Sequence, residues 1–150
     1  MNKETVLRSL RINHVVAFVA TLVIIAAFEG GFIAKGVLAD FISSSAYYVV
    51  QVVTVMLTVI LIPLAIKSFT KAAGKCTGMS EGDALKLYAR MSMLRTVLVF
   101  LVIIVNGFAY YGIGYEGSLY CGLFGYGSMI YCFPTRMVME QFLQGKTTDK

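Results

Sequence analysis

The chain has 150 residues, of which 58% are hydrophobic and 14% charged. A soluble domain carries about 45–50% apolar and about 25% charged residues. This chain departs from both toward a lipid-dissolved protein, with a mean hydropathy of +0.77. The same figures exclude a soluble enzyme and a disordered tail. A disulfide-stapled secreted module is excluded as well, because Cys76, Cys121 and Cys132 are odd in number and form no CxxC pair. The net charge of +5 does not call for nucleic acid, since membrane proteins collect Lys and Arg on their cytoplasmic side.

The first element follows the polar, basic segment Met1–His14, which carries Lys3, Arg8 and Arg11 against Glu4. From Ile12 to Phe28 no charge occurs, and these 17 residues make about 25 Å of helix. That is short of a ~30 Å hydrocarbon core, so the span is expected to run over 13–34, with Glu29 near the far interface. The basic start and apolar run resemble a signal peptide. Glu29-Gly30-Gly31 is a poor cleavage context, so retention is expected.

The second run, Ala46 to Ile66, has 21 residues without a charge. Ser43, Ser44 and Ser45 are candidate N-caps, and Pro63 sits near the end, where a kink costs least. A cytoplasmic connection over 67–93 follows. Its first half reads as loop. Ser80 with Asp83 then forms a variant capping box, and Ala84, Leu87, Tyr88, Met91 and Leu94 recur at helical spacing. This basic amphipathic helix leads into a third span over 94–113. A Gly114–Gly117 turn allows an immediate reversal. The fourth span, over 118–135, is interrupted by Gly122, Gly125 and Gly127 and ends at Pro134 and Arg136. The tail from 144 to 150 is expected to be flexible.

The fold expected is all-α: a single integral membrane domain, a four-transmembrane-helix bundle with both termini inside. Orientation follows from loop charge. The N-terminal segment carries three Lys/Arg, the middle connection and its edge six, and the tail three, whereas the two opposite loops carry only Lys35. The chain therefore belongs in the cytoplasmic (inner) membrane.

Within the spans, Gln51, Thr54 and Thr58 share a face of span two, and Thr96, Asn106 and Tyr110 a face of span three. Polar groups in lipid turn inward and bond across helices. Gln51, Thr54, Thr58 and Asn106 therefore form either interhelical contacts or a polar path. Two stripes of small residues allow close backbone approach. One is Ala26, Gly30 and Ala34; the other is Ser118, Cys121, Gly122, Gly125 and Ser128. Glu29 is the acid nearest the membrane interior and the candidate ion or proton site. His14 is a lone histidine without metal-ligating partners and reads as interfacial structure. Cys121 and Cys132 stand about 16 Å apart on one helix, too far for a disulfide. Cys76 falls in the connection as a free thiol. Lys86 and Arg90 are placed to meet anionic lipid headgroups.

No GxxxxGK[ST] or HExxH motif, no GxGxxG after a strand and no paired carboxylate in a span occurs. No cofactor or metal is expected, and the leading expectation is non-enzymatic. The chain would be an accessory or assembly subunit of a membrane complex or a homo-oligomer, joined through its small-residue stripes. A small transporter or channel subunit is the alternative, and a membrane-embedded enzyme without a recognisable motif the second.

Overall fold

A computed structural model describes residues 2–145. They form five α-helices, α1 (Lys3–Glu29), α2 (Ser44–Lys75), α3 (Glu81–Ile113), α4 (Glu116–Tyr131) and α5 (Arg136–Leu143), with a 3-10 turn at Ala39–Phe41. No strand occurs among the described residues. Three helices, α1, α2 and α3, are long and apolar enough to cross a membrane. The α4 helix is apolar but has 16 residues, about 24 Å of rise.

The helix bounds correct the sequence reading at several points. The first helix begins ten residues earlier than the expected span, at Lys3, with the Asn2 side chain accepting from the Glu4 N–H at 3.3 Å. It stops at Glu29 and does not continue to Ala34. Gly31 takes the left-handed conformation (φ +76°), the Phe32 N–H donates to the Ala27 carbonyl at 3.0 Å, and the Gly31 N–H to Phe28 at 3.3 Å. This is a Schellman termination, which satisfies the orphan carbonyls of the last turn. From there the chain folds back over α3. The Gly36 and Leu38 N–H groups donate to Tyr111 and Gly112 at 2.8 and 3.0 Å, and these carbonyls belong to the last turn of α3.

Ser43 caps α2, accepting from the Ala46 N–H at 3.3 Å. The helix then runs nine residues past its expected end and carries Pro63 inside it. Residues 67–75 are thus helix, not loop. The reason lies on the face opposite Pro63, which is exposed. There Ala65, Phe69, Ala72 and Ala73 are buried, so packing offsets the lost hydrogen bond at the proline. Ser80 caps α3 as the sequence suggests, taking the Asp83 N–H at 3.3 Å, while its hydroxyl donates to the Asp83 carboxylate at 2.7 Å. The amphipathic stretch and the apolar run are one helix of 33 residues, about 50 Å long. It ends at Gly114 in the left-handed region (φ +79°), whose N–H bonds the Tyr110 carbonyl at 2.9 Å.

The fifth helix is absent from the sequence reading. Thr135 caps it through the Val138 N–H at 3.3 Å, and Met139 and Phe142 are its buried residues. Of the expected flexible tail, Gln144 caps this helix and Gly145 turns after it. Residues 146–150 lie outside the described residues.

Two cores result. The larger is at the basic end, beyond the apolar runs. Val6, Leu7 and Leu10 of α1 meet Phe69, Ala72, Ala73 and Cys76 of α2, with Ala84, Leu85 and Tyr88 of α3 and the two α5 residues. Cys76 is therefore a buried thiol and not a loop thiol, and desolvation pushes its pKa up. Ion pairs fasten the rim of this core: Lys3 to Glu81, and Arg136 to Glu4 at 3.7 Å. The smaller core lies between the apolar runs and joins Ala65, Val99, Ile103, Met129 and Cys132. Helix α3 packs against the other four. The outward faces of α1 and α2, including Val16, Val23, Val52 and Val59, stay exposed, as a lipid-facing surface requires.

Candidate functional site

The polar groups of the apolar region form three separate constellations. The first holds the C-terminal end of α4. That helix stops at Cys132 before Pro134, and its last carbonyls need outside donors. The Arg95 Nη2 donates to the Cys132 carbonyl at 2.7 Å, the Arg11 Nε to Pro134 at 3.0 Å, and the His14 Nε2 to Met129 at 2.9 Å. A carbonyl only accepts, so Nε2 carries the proton. The His14 Nδ1 stands 3.1 Å from the Thr96 hydroxyl. The Arg95 guanidinium also lies 4.1 Å from the centre of the Phe69 ring. Its charge has no carboxylate partner among the described residues; the negative end of the α4 dipole takes that place. His14 is 2% and Arg95 6% exposed, so both are buried donors to carbonyls, and Arg95 is more than the loop charge the sequence reading counted. A signal was present. Arg95 falls in the row Tyr88, Ser92, Arg95, Val99 and Val102, all buried at helical spacing.

The second constellation joins α2 and α3. Asn106, at 0% exposure, donates from Nδ2 to the Thr58 hydroxyl and to the Val102 carbonyl, both at 2.9 Å. Thr58 returns its own proton to the Thr54 carbonyl at 2.9 Å, and Thr54 bonds Val50 at 2.9 Å. Thr58 and Asn106 thus form a direct interhelical bond where a polar path would run. Gln51, two turns further out, is half-buried and makes no side-chain hydrogen bond among the described residues.

The third constellation surrounds a cavity of about 260 Å³ between α1, α3 and α4. Thr21, Ile24 and Ile25 supply one wall, α3 from Ile103 to Tyr111 the back, and Ser118, Leu119, Gly122, Leu123 and Tyr126 the other wall. Phe18 and Tyr126 close the inner end as an edge-to-face pair 5.7 Å apart. Phe28 stacked on Tyr111 at 4.5 Å closes the outer end. There the Tyr111 hydroxyl donates to Glu29 at 3.0 Å, and Lys35 pairs with the same carboxylate at 2.7 Å. Glu29 therefore ties the roof of the cavity to the outer loop.

The small residues serve the bundle's interior. Ser118 and Gly125 are buried. A Cβ at Gly125 would sit 2.8 Å from the Ile103 Cγ1, and one at Gly122 3.9 Å from the Asn106 Cβ. Cys121 and Ser128 are half-buried at the flank, where the Ser128 hydroxyl bonds Phe124 at 2.8 Å. The stripe expected on α1 does not exist as a helix face. Ala26 is exposed, Gly30 is the cap and Ala34 lies beyond the helix. Lys86 and Arg90 are exposed on α3. Among the described residues no group of three or more metal-ligating side chains converges.

Three long apolar helices define the class as a helical membrane protein. Comparison with protein families, with curated proteins and with solved structures finds no match to this chain.

Proposed function

We propose that the chain is a non-enzymatic accessory subunit of a larger membrane complex, crossing the inner membrane four times with both termini in the cytoplasm. The fourth crossing would be α4. From Arg11 to Glu29 on α1, and from Arg95 to Ile113 on α3, there are nineteen residues each, spanning about 27 Å of rise. That belt matches a hydrocarbon core of ~30 Å. Helix α4 supports this reading because its end is gripped by Arg11, His14 and Arg95 at one rim and its start follows directly on α3 at the other. Of the eleven Lys and Arg within residues 2–145, all but Lys35 belong to the end where α1 begins, which favours the cytoplasm there. Lys86 and Arg90 would lie close enough to that surface to meet anionic headgroups, at ~1 kcal/mol each.

Topology is tested by cysteine labelling. Cys76 is a poor reporter because it is buried. Phe41→Cys and Met79→Cys are better placed, at exposed positions on opposite ends. A membrane-impermeant maleimide added to intact cells should label Phe41→Cys and leave Met79→Cys untouched until the cells are opened. The reverse pattern overturns the orientation.

The observation that carries the subunit reading is the outward side of α4. Its Gly125 is consumed in packing on α3, yet Gly127 and Ser128 remain on a groove with Ile66, Leu123, Phe124 and Tyr131, about 460 Å³ in volume. Nothing lies within 4 Å of a Cβ built at Gly127, while Phe124 beside it is 73% exposed. A glycine notch flanked by aromatic side chains suits a transmembrane helix of another chain. Purified in mild detergent, the protein should run with a partner, and Gly127→Leu should release it without unfolding the bundle. A wild-type particle of one chain overturns the reading; a particle made of copies of this chain identifies the partner as itself.

A further inference from the structure

We propose that the face of α1 beside the end of α4 is a binding site for one anionic phospholipid, with its phosphate on Arg8 and Arg11 and one acyl chain between α1 and the end of α4. Arg8 and Arg11 border a groove of about 470 Å³ along α1. Both are exposed, and neither has a carboxylate within salt-bridge distance among the described residues. Glu4 borders the same groove, but Arg136 pairs with it at 3.7 Å. The groove therefore keeps two uncompensated positive charges. Arg11 is also held in place. Its Nε donates to the Pro134 carbonyl at 3.0 Å, and its side chain makes no other hydrogen bond among the described residues. The two terminal nitrogens are left as a fork, which pairs with phosphate oxygens through two parallel bonds.

The continuation of that face decides the rest of the ligand. Arg8, Arg11, Val15 and Phe18 follow one another at helical spacing on α1. Val15 and Phe18, with Ile130 and Phe133 across from them, line a second groove of about 240 Å³, which begins one turn from Arg11. Phe133 directly precedes Pro134, the residue that Arg11 holds, so the two grooves meet at that bond. Val15 is 47% and Ile130 67% exposed, and the second groove opens sideways to lipid. His14, which also borders it, is bonded at both ring nitrogens, and the other walls are hydrocarbon, as suits an acyl chain. The depth matches as well. Arg11 marks one rim of the hydrocarbon belt used in the four-span reading, which puts the two arginines at headgroup level and Val15 and Phe18 among the chains. The siting rests on that belt, though not on which side of the membrane the basic end faces. A zwitterionic headgroup brings a cation of its own to the arginines and loses the net attraction.

The test uses the full chain in mild detergent with equal amounts of phosphatidylglycerol and phosphatidylcholine carrying the same acyl chains. Native mass spectrometry counts the lipid that stays bound. One phosphatidylglycerol should remain per chain, preferred about ten-fold over phosphatidylcholine, as two arginines at headgroup level supply. Arg8→Gln with Arg11→Gln should cut that preference to about two-fold. Lys67→Gln with Lys71→Gln removes the same charge from exposed positions on α2 and should leave the preference at about ten-fold. Glycerophosphoglycerol, the headgroup without its chains, should not displace the lipid even in large excess. Circular dichroism and monodispersity report whether each variant folds. Arg8→Gln alone should still lower the preference about three-fold, and it keeps the test decisive if loss of the Arg11–Pro134 bond unfolds the chain. Equal retention of the two lipids overturns the proposal, and so does an unchanged preference in Arg8→Gln. An equal drop in both double variants overturns it in favour of diffuse surface charge, and displacement by glycerophosphoglycerol in favour of a soluble phosphate. A reversed topology in the maleimide labelling leaves every one of these outcomes unaffected, so the two readings fail separately.

Discussion

Phe142→Ala should detach α5 and destabilise the basic end of the bundle by about 3–5 kcal/mol, the usual range for deleting a buried aromatic ring. The ring lies 4.9 Å from Phe69 and 5.3 Å from Tyr88, and these two stand 6.0 Å from each other. Helix α5 has eight residues, too few to hold helical structure alone. Its attachment rests on Met139 and Phe142. Cys76 shares their core and reports on it. Burial raises the thiol pKa and keeps the nucleophilic thiolate scarce. In the wild type Cys76 should therefore alkylate slowly at neutral pH. In Phe142→Ala, local opening should speed that reaction by about two orders of magnitude. An unchanged rate would mean that α5 contributes nothing to the core.

Arg95→Leu should cost about 2–3 kcal/mol, from one charged hydrogen bond lost and one buried carbonyl left unpaired. The damage should be local, because Arg95 acts at the last turn of α4. Cys132, 0% exposed, should become reactive to a small membrane-permeant maleimide as that turn frays. Arg95→Lys should restore little. An ammonium cannot lie flat on the Phe69 ring and reach the Cys132 carbonyl at once. Full activity of Arg95→Lys in guarding Cys132 would reduce the role to charge alone. Phe69 touches both Arg95 and Phe142, so the double variant should depart from additivity. Denaturant unfolding of the four species measures that coupling.

Helix identity was legible over the apolar runs because hydropathy reports it directly. Ser43 and Ser80 were legible as caps because the side chain itself makes the bond. The lengths were not. Residues 67–75 look like loop on their lysines and glycine, yet they are helical because Phe69, Ala72 and Ala73 find partners on α3 and α5. The α5 helix has only two buried anchors in eight residues, a pattern too brief to read as periodicity. At the other end of the bundle, Gly30 and Gly31 stop α1 where hydropathy alone continues it. Of the polar residues, Asn106 and Thr58 lie on helix faces that periodicity makes legible, and a hydrogen bond joins them. Arg11, His14 and Arg95 were missed as a set. Their common target is a row of backbone carbonyls, which no residue type announces.

The amino-acid sequence by itself determined that this is a helical chain for a membrane, where the apolar runs inside its helices lie, and which of its segments carry the basic residues. Those properties are sums over residues and need no partner. Only the tertiary structure decided which small residues pack and which stay open. Gly125 turns toward α3 while Gly127 faces outward, a choice set by how α4 is rotated. It also decided that His14 and Arg95 would bond the last turn and cap of α4, and Arg11 the carbonyl of Pro134 just past it. Those bonds join residues 37 to 123 positions apart in the chain, brought together by packing that local propensity does not encode.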